Sequence, residues 1–257
     1  MSKAFLIPVL IASAMALSAC NGEQTPSFQG WVEADMIFVG PDESGRIETL
    51  SVREGDRVEL RAPLFTLDAD LQLADVAMQE ASVKNAQLAY DRAAALIKSQ
   101  AGTQKALDEA EAALRTAQAR LNSAQTRLAR RKVFSPVAGP VQQIYFRVGE
   151  MVPSGKAVVA LLPPGNLKIR FFVNEAMLPR LSLGDPIKVS CDGCGNDIAA
   201  RITFIARSSE FTPPVIYSLE ERSKLVFLIE ARTTTPERLR VGQPVSVTLG
   251  TPDDRHF

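Results

Sequence analysis

The stretch SGRIETLSVREGDRVELRAPLFTLD, residues 44–68, decides the fold, because a related stretch, AGPVQQIYFRVGEMVPSGKAVVALL, recurs at residues 138–162. The copies coincide at glycines and at apolar residues: Gly45 with Gly139, Gly55 with Gly149, Val58 with Val152, Leu64 with Val158, and Leu67 with Leu161. Both copies have the pattern of short strands around a glycine turn. Neither has enough apolar positions to form a core alone, so the sequence predicts that the two copies pair.

A helix-forming segment separates the two copies, from residue 69 to residue 132. It is rich in Ala, Leu, Gln, Glu, Lys and Arg, it contains no proline, and its only glycine is Gly102. A break of a few residues at Gly102 predicts two antiparallel helices. Helices of about 30 residues would form a rod roughly 45 Å long.

Heptad spacing predicts which faces of these helices meet. In the second helix the predicted seam is Leu107, Leu114, Leu121 and Leu128, with Ala110, Ala117 and Ala124 between them. In the first helix the predicted facing seam is Leu71, Ala74, Met78, Ala81, Leu88 and Ala95, with Asn85 as a polar break. Such a hairpin is either displayed for a partner to bind or a self-contained structural coiled coil.

Short strands at regular spacing follow residue 163 and predict a small β-barrel. The alternating stretch Ser27–Val39 is predicted to join this barrel, with Trp31 in a packing role. The expected fold class is therefore α+β and multidomain: a split β-sandwich, an inserted antiparallel coiled-coil hairpin and a β-barrel.

The first twenty residues, MSKAFLIPVLIASAMALSAC, have the pattern of a secretion signal. The sequence LSAC before the predicted mature chain resembles a bacterial lipobox, which implies cleavage before Cys20 and a lipid on its thiol. Ordinary secretory cleavage near Ala19 is the alternative. Both alternatives predict a mature chain outside the cytoplasm.

The close pair Cys191 and Cys194, in CDGCG, is first interpreted as a turn-stapling disulfide. Free thiols and a redox or metal site are the alternatives. A redox pair normally opens a helix, whereas this pair follows a strand-like segment, and zinc would require two further ligands.

Charge and composition argue against several functions. The 29 basic and 29 acidic residues balance, so no basic excess indicates nucleic-acid binding. The only histidine is His256, next to the end of the sequence, which disfavours histidine catalysis and a multi-histidine metal site. No catalytic residue is predicted, and the expectation is a protein that is not an enzyme.

The paired copies resemble the two halves of a lipoyl or biotinyl domain. In that family the halves meet at a hairpin that carries a modified lysine, whereas here Ala69 follows Asp68 and the helical segment begins. We therefore expect no lipoyl or biotinyl cofactor, and we expect the helical hairpin to replace the lysine hairpin.

The order of these parts resembles the HlyD-type periplasmic adaptors, also called membrane-fusion proteins. The phrases GWVEAD, SGRI, VREGDRV and FSPVAGPV are similar to the family's recurring phrases, and SSEFTPPVIYS with ERLRVGQPVSVTL is most similar to adaptors of ABC-type exporters. The predicted organisation is a lipoprotein signal (1–19), a lipid-anchored linker (20–27), a β-barrel domain (28–39 and 164–250), a lipoyl-like domain (40–68 and 133–163), the hairpin (69–132) and a tail (251–257).

This resemblance implies an adaptor that bridges an inner-membrane transporter, ABC-type rather than RND-type, to a TolC-like outer-membrane channel. It implies a ring of six copies and a periplasmic location, anchored at the inner membrane by the lipid. The short tail after the barrel also favours the ABC-type partner. The alternatives are an adaptor of an RND-type pump and a purely structural lipoprotein.

The resemblance also implies a channel-docking tip. Arg92, Leu96 and Thr103 hold the spacing of the family's Arg, Leu and Ser motif, with Thr in place of Ser. Other roles for these residues are a solvated helix face for Arg92, end-of-seam packing for Leu96 and capping of the second helix for Thr103.

Overall fold

The computed structural model describes residues 26–194, 197–211 and 225–250. These residues form two compact units: residues 35–166, and residues 26–34 together with 167–250. The predicted signal, Cys20, the tail and most of the phrase SSEFTPPVIYS lie outside the described residues, as does His256.

The first strand of the chain, β1 (Ser27–Ala34), belongs to the second unit. The strands of the first unit are β2 (Ile37–Val39), β3 (Gly45–Leu50), β4 (Arg57–Val58), β5 (Pro63–Leu67), β6 (Lys132–Phe134), β7 (Gly139–Ile144), β8 (Met151–Val152) and β9 (Val159–Leu161). They form two four-stranded sheets, in the orders β2-β9-β7-β4 and β6-β5-β3-β8. Each sheet mixes strands from both copies of the repeat, as in β3 with β8 and β4 with β7. The pairing of the two half-motifs is therefore confirmed.

The core between these sheets uses the positions at which the two copies coincide. The aligned residues Val58, Val152, Leu64, Val158, Leu67 and Leu161 are all buried in one cluster. The aligned turn glycines, Gly55 and Gly149, both have φ +91°. Because both copies contribute buried residues to this single cluster, neither copy has this core without the other.

One boundary expected from the sequence is wrong. Ile37–Val39 does not continue into the barrel but pairs antiparallel with β9 of the sandwich. The chain leaves β1 at Asp35, whose N–H donates to the carbonyl of Asn166 at 3.1 Å. Apolar and polar residues alternate in both strands, Ser27–Ala34 and Ile37–Val39. The alternation alone therefore could not show that one strand ends and another begins between them.

The inserted segment forms helices α1 (Asp70–Lys98) and α2 (Gln104–Ala129), which pack antiparallel. On α2 the predicted seam is confirmed, because each of its leucines and alanines is buried or half-buried, with Ala117, Leu121 and Ala124 fully buried. Alanines at every second seam position let the α1 backbone approach closely.

On α1 the predicted seam is wrong. Leu71, Met78 and Leu88 are 82%, 61% and 52% exposed, and they lie on the face turned away from α2. The α1 residues that are half-buried include Val76, Gln79, Val83, Ala86, Tyr90, Ala93 and Ile97. Both faces of α1 carry apolar residues at heptad spacing, so spacing alone does not identify the face on which α2 packs.

The second unit is a closed β-barrel in which six described strands follow the order β10-β1-β15-β11-β12-β14 and β14 pairs back to β10. These strands are β1, β10 (Leu167–Asn174), β11 (Pro186–Ser190), β12 (Ile198–Ile205), β14 (Leu225–Thr233) and β15 (Pro244–Leu249), and the short β13 (Glu210–Phe211) pairs with β14. Alternate residues such as Val32, Phe171, Val189, Ile202 and Val247 are buried. The predicted fold class is confirmed in all its parts.

Candidate functional site: the tip and base of the hairpin

The tip of the hairpin is a compact turn rather than a loose loop. The N–H of Ala101 donates to the carbonyl of Leu96 at 2.9 Å, and the N–H of Gln100 donates to the carbonyl of Ile97 at 3.0 Å. Gln100 has φ +59°, so it takes the left-handed position that closes a Schellman motif, where glycine is usual. The end of α1 thus holds the residues after it in a fixed turn.

Gly102 lets the chain fold back over the end of α1. A β-carbon at this position would lie 3.0 Å from both the Leu96 β-carbon and the Ile97 backbone nitrogen. Such contacts are tighter than side chains normally tolerate, so a larger residue would push the turn away from the helix end.

Thr103 is the N-cap of α2. Its Oγ1 accepts a hydrogen bond from the N–H of Ala106 at 3.2 Å, and its backbone is extended, as expected of an N-cap. The capping role predicted for Thr103 is therefore confirmed. Its side chain also remains exposed, so capping leaves it accessible to a partner.

Arg92 and Leu96 lie one helical turn apart on the last turns of α1, and both are exposed. Within the described ranges, the Arg92 guanidinium forms no hydrogen bond or ion pair with another side chain. Leu96 is 50% exposed, whereas its neighbour Ile97 is turned toward α2. Leu96 is therefore not a seam residue, and the tip presents a cation, an apolar side chain and a hydroxyl to solvent.

The base of the hairpin is joined to the sandwich by residues that the sequence alone did not single out. Arg131 is buried; its Nη1 donates to the carbonyl of Ser44 at 2.9 Å and its Nη2 donates to Glu43 Oε2 at 3.2 Å. Arg130 forms an ion pair with Asp42 at 3.2 Å. The acidic stretch before β3 could have suggested these pairs, but no spacing rule predicts contacts across 88 residues.

A further ion pair joins the two helices near their base. Arg127 Nη2 donates to Asp75 Oδ2 at 2.7 Å, and Gln79 Nε2 donates to Asp75 Oδ1 at 3.1 Å. The hydrogen bond from Gln79 is the largest cause that lowers the pKa of Asp75; burial opposes it, and the hydrogen bond and the charge of Arg127 lower the pKa further. Asp75 is therefore held as a carboxylate between two donors.

In the barrel, Cys191 and Cys194 are bonded to each other across the β11–β12 connection, with their Cα atoms 5.3 Å apart. The Arg238 guanidinium donates to the carbonyl of Cys194, and Gln243 Nε2 lies 3.4 Å from its sulfur. The connection is thus tied to the segment before β15.

A charged cluster on the barrel was also missed by sequence reasoning. Arg170 forms ion pairs with Glu33 and Glu230, and Lys168 forms an ion pair with Glu230 at 3.2 Å. Trp31 packs against Phe172 with ring centroids 5.7 Å apart, and the Arg170 guanidinium lies 5.8 Å from the Trp31 centroid. Trp31 therefore packs against Phe172 and Arg170, as predicted from the sequence, while 37% of the residue remains exposed.

The part of the chain that the structure describes contains no group of three or more His, Cys, Asp or Glu side chains placed to hold a metal ion. Neither described helix is both long and apolar enough to cross a membrane.

Comparison with known proteins places this architecture in a class. Residues 35–162 match the family model of the RND membrane-fusion proteins, barrel-sandwich hybrid domain. A UPF0194 membrane protein of Acidithiobacillus ferridurans is 26% identical, over 98% of this chain and 96% of the relative.

Two solved structures share the fold. The membrane-fusion protein Spr0693 of Streptococcus pneumoniae R6 has a TM-score of 0.68 and 18% identity, over 88% of this chain and 99% of that one. A MacA–MexA chimera with the Pseudomonas aeruginosa MexA α-hairpin has a TM-score of 0.73 and 19% identity, over 89% and 82%. These solved structures share the split sandwich with an inserted hairpin and a barrel. The match of residues 35–162 to the family model assigns this chain to the membrane-fusion proteins.

Proposed function

We propose that this adaptor bridges an inner-membrane ABC-type transporter to a TolC-like outer-membrane channel, and that its hairpin tip docks on the channel. The observation that carries the proposal is the hydrogen-bonded tip, which exposes Arg92, Leu96 and Thr103 near the end of the hairpin. The Schellman turn and the Thr103 cap fix the backbone that carries these side chains, which lowers the entropy lost on docking.

The chemistry of the tip suits a surface of helix ends and carboxylates. The Arg92 guanidinium can donate paired hydrogen bonds to a carboxylate or to backbone carbonyls. Leu96 supplies an apolar contact beside it. In this proposal the transporter decides the substrate, and the adaptor contributes assembly rather than a chemical step.

The remaining parts of the proposal rest on the sequence resemblance. Acylation of Cys20 would anchor the chain at the inner membrane, a ring of six copies would form the connection, and the Cys191–Cys194 disulfide would persist in the oxidising periplasm. An RND-type pump is the second candidate for the transporter, favoured by the family model matched by residues 35–162.

The test is site-specific photo-crosslinking in cells from positions 92, 96 and 103, followed by mass spectrometry of the captured proteins. We expect an outer-membrane channel from these positions and not from position 118, an exposed site midway along α2. Co-purification with the tagged adaptor would then distinguish an ABC-type from an RND-type transporter.

A charge reversal tests the role of Arg92. Arg92→Asp should abolish export and channel co-purification, whereas Lys84→Asp, the same reversal two turns nearer the base, should preserve both. Unchanged export in Arg92→Asp, with the protein folded and assembled, would exclude the tip as the docking point.

A further inference from the structure

One end of the β-barrel is the end at which the chain enters it. Strand β1 begins at Ser27, which lies opposite Thr248 near the end of β15. At the same end, the N–H of Gly250 donates to the carbonyl of Pro186, the first residue of β11, at 3.1 Å. We call this the anchor end of the barrel, because the predicted lipid attachment precedes β1. The turn that leads into β11, at residues 182–185, lies at the anchor end.

This turn carries an exposed leucine at its tip. Leu183 is 67% exposed. The N–H of Ser182 donates to Asp185 Oδ2 at 2.8 Å, and the N–H of Gly184 donates to the carbonyl of Ile202 at 2.8 Å. Gly184 has φ +89°, a conformation that glycine adopts without strain. The backbone on both sides of Leu183 is therefore fixed, with the leucine between the two bonded residues.

Guanidinium groups flank this leucine. Arg180 is exposed and stands three residues before Leu183. Arg201 Nη1 donates to the carbonyl of Gly184 at 3.2 Å, so its charge lies beside the turn. The Asp185 carboxylate is bonded within the turn. An apolar tip between cations suits the surface of an anionic bilayer, because the leucine can enter the acyl region while the arginines remain at the phosphates.

The chain between the predicted lipid and the barrel is short. Cys20 stands seven residues before Ser27. Seven residues span at most about 25 Å when fully extended. A lipid on Cys20 would therefore hold the anchor end close to the bilayer, at an effective concentration on the order of millimolar. At such a concentration even a weak contact between Leu183 and the lipid is populated.

We infer that the anchor end of the barrel docks on the phospholipid bilayer that holds the Cys20 lipid, with Leu183 among the acyl chains and Arg180 and Arg201 at the phosphates. The inference rests on the proposed function in one respect, the acylation of Cys20. A single exposed leucine is common on protein surfaces. This one is distinguished by its flanking arginines and by its place at the end that the tether reaches. The acyl chains alone would hold the protein at the membrane, whereas this contact also fixes which end of the barrel faces it.

The barrel contains a matched control turn at its opposite end. The N–H of Arg240 donates to Gln243 Oε1 at 3.0 Å, as the N–H of Ser182 does to Asp185 in the first turn. Val241 is exposed at the tip of this second turn. The next residue, a glycine with φ +79°, lies beside the end of β1. The two turns therefore differ in position and in flanking charge rather than in backbone structure.

Quenching by nitroxide-labelled lipid tests the contact. An environment-sensitive dye is attached to Ser182→Cys or to Arg240→Cys in the full-length acylated protein, which is reconstituted in vesicles of phosphatidylethanolamine and phosphatidylglycerol. Cys191 and Cys194 are bonded to each other, so without reductant they do not take up the dye. We expect quenching severalfold stronger at position 182 than at position 240. Adding Leu183→Ser should reduce quenching at position 182 to the level at position 240.

Two results would overturn the inference. One is equal quenching at positions 182 and 240 in protein that is bound to the vesicles. The other is a blue shift at position 182 that grows with protein concentration and does not respond to the nitroxide, which would indicate that the turn binds protein rather than lipid.

Failure of the acylation is recognised separately, because the protein then does not float with the vesicles. A hexahistidine tag in place of residues 1–20, bound to a nickel-chelating lipid, supplies the tether in that case. The same comparison of positions 182 and 240 then decides the inference without any lipid on residue 20.

Charge variants give a second readout from the dye at position 182. Arg180→Glu should weaken the contact at least about fivefold, since each basic residue beside an anionic surface contributes roughly that factor. Glu175→Lys is the matched control: Glu175 is exposed on the same connection, and the substitution changes the charge by the same amount in the opposite direction, so it should strengthen the contact. Identical quenching in both variants and the parent would contradict the placement of Arg180 at the phosphates.

Discussion

The Arg131 guanidinium occupies the space that a side chain on residue 45 would need. A β-carbon built on Gly45 would lie 2.6 Å from Arg131 Nη1 and 3.3 Å from Leu67 Cδ1. Gly45 is the second residue of the first copy of the repeat. Because it has no side chain, it leaves room for the arginine that anchors the hairpin to the sandwich.

A double-mutant cycle tests this relationship. Gly45→Ala should destabilise the protein by about 1–3 kcal/mol, because the new methyl group displaces Arg131. Arg131→Ala should cost about 1–3 kcal/mol, because the carbonyl of Ser44 and the carboxylate of Glu43 lose their donor. In the Arg131→Ala background the Gly45→Ala change should cost less, with a coupling of roughly 1 kcal/mol in chemical denaturation. If the free-energy costs of the two substitutions were strictly additive, the effect of Gly45→Ala would not arise from contact with Arg131.

The packing of the helical seam predicts unequal costs for two leucine truncations. Leu121→Ala removes a buried side chain between the helices and should cost about 2–3 kcal/mol. Leu71→Ala removes an exposed one and should change the free energy of unfolding of the isolated chain by less than about 0.5 kcal/mol. Denaturation followed by circular dichroism at low protein concentration measures both free-energy changes. Equal changes would indicate that Leu71 packs between the helices, as the seam predicted from the sequence requires.

Substitutions at Thr103 separate capping from docking. Thr103→Ala should destabilise the start of α2 by about 1 kcal/mol, whereas Thr103→Asp should retain the cap. Amide hydrogen exchange at Ala106, which donates to Thr103, reports the cap directly. If docking also uses the hydroxyl, Thr103→Asp will keep slow exchange at Ala106 but lose channel co-purification.

The lowered pKa of Asp75, caused first by the hydrogen bond from Gln79 and further by Arg127, makes the stability of the hairpin depend on pH. The pKa of Asp75 is lower in the folded chain than in the unfolded chain. The ionised Asp75 side chain therefore contributes its full stabilisation at any pH above the ordinary carboxyl pKa, which is near 4. This contribution should decline as the pH falls through the lowered pKa. The difference in stability between the parent protein and Arg127→Ala should therefore be constant from pH 5 to 8 and shrink below about pH 4. A difference that grows in acid would contradict this assignment.

The sequence predicts α2 better than α1 for a physical reason. Only one face of α2 is lined with leucine, so Leu107 to Leu128 define its seam without ambiguity. On α1 both faces are apolar at the same spacing, and the prediction chose the face with the larger residues. The face of α1 that packs on α2 includes the small residues Val83, Ala86 and Ala93, which leave room for the leucines of α2.

The anchors at the base of the hairpin could not be predicted for a different reason. Arg131 contacts Glu43 across 88 residues of sequence, and only the folded sandwich brings them together. The tip was predictable because its determinants are local: the only glycine of the segment is followed at once by Thr103, the residue that caps the next helix.

The hairpin leaves the sandwich after β5 and returns at β6, and these two strands are adjacent and antiparallel. Its length is therefore independent of the sandwich: seven residues added to each helix would extend the rod by about 10 Å without disturbing a strand. Whole heptads would also preserve the faces of both helices. The length of the hairpin can therefore change in steps of one heptad, to match the width of the gap it spans, while the core of the sandwich stays the same.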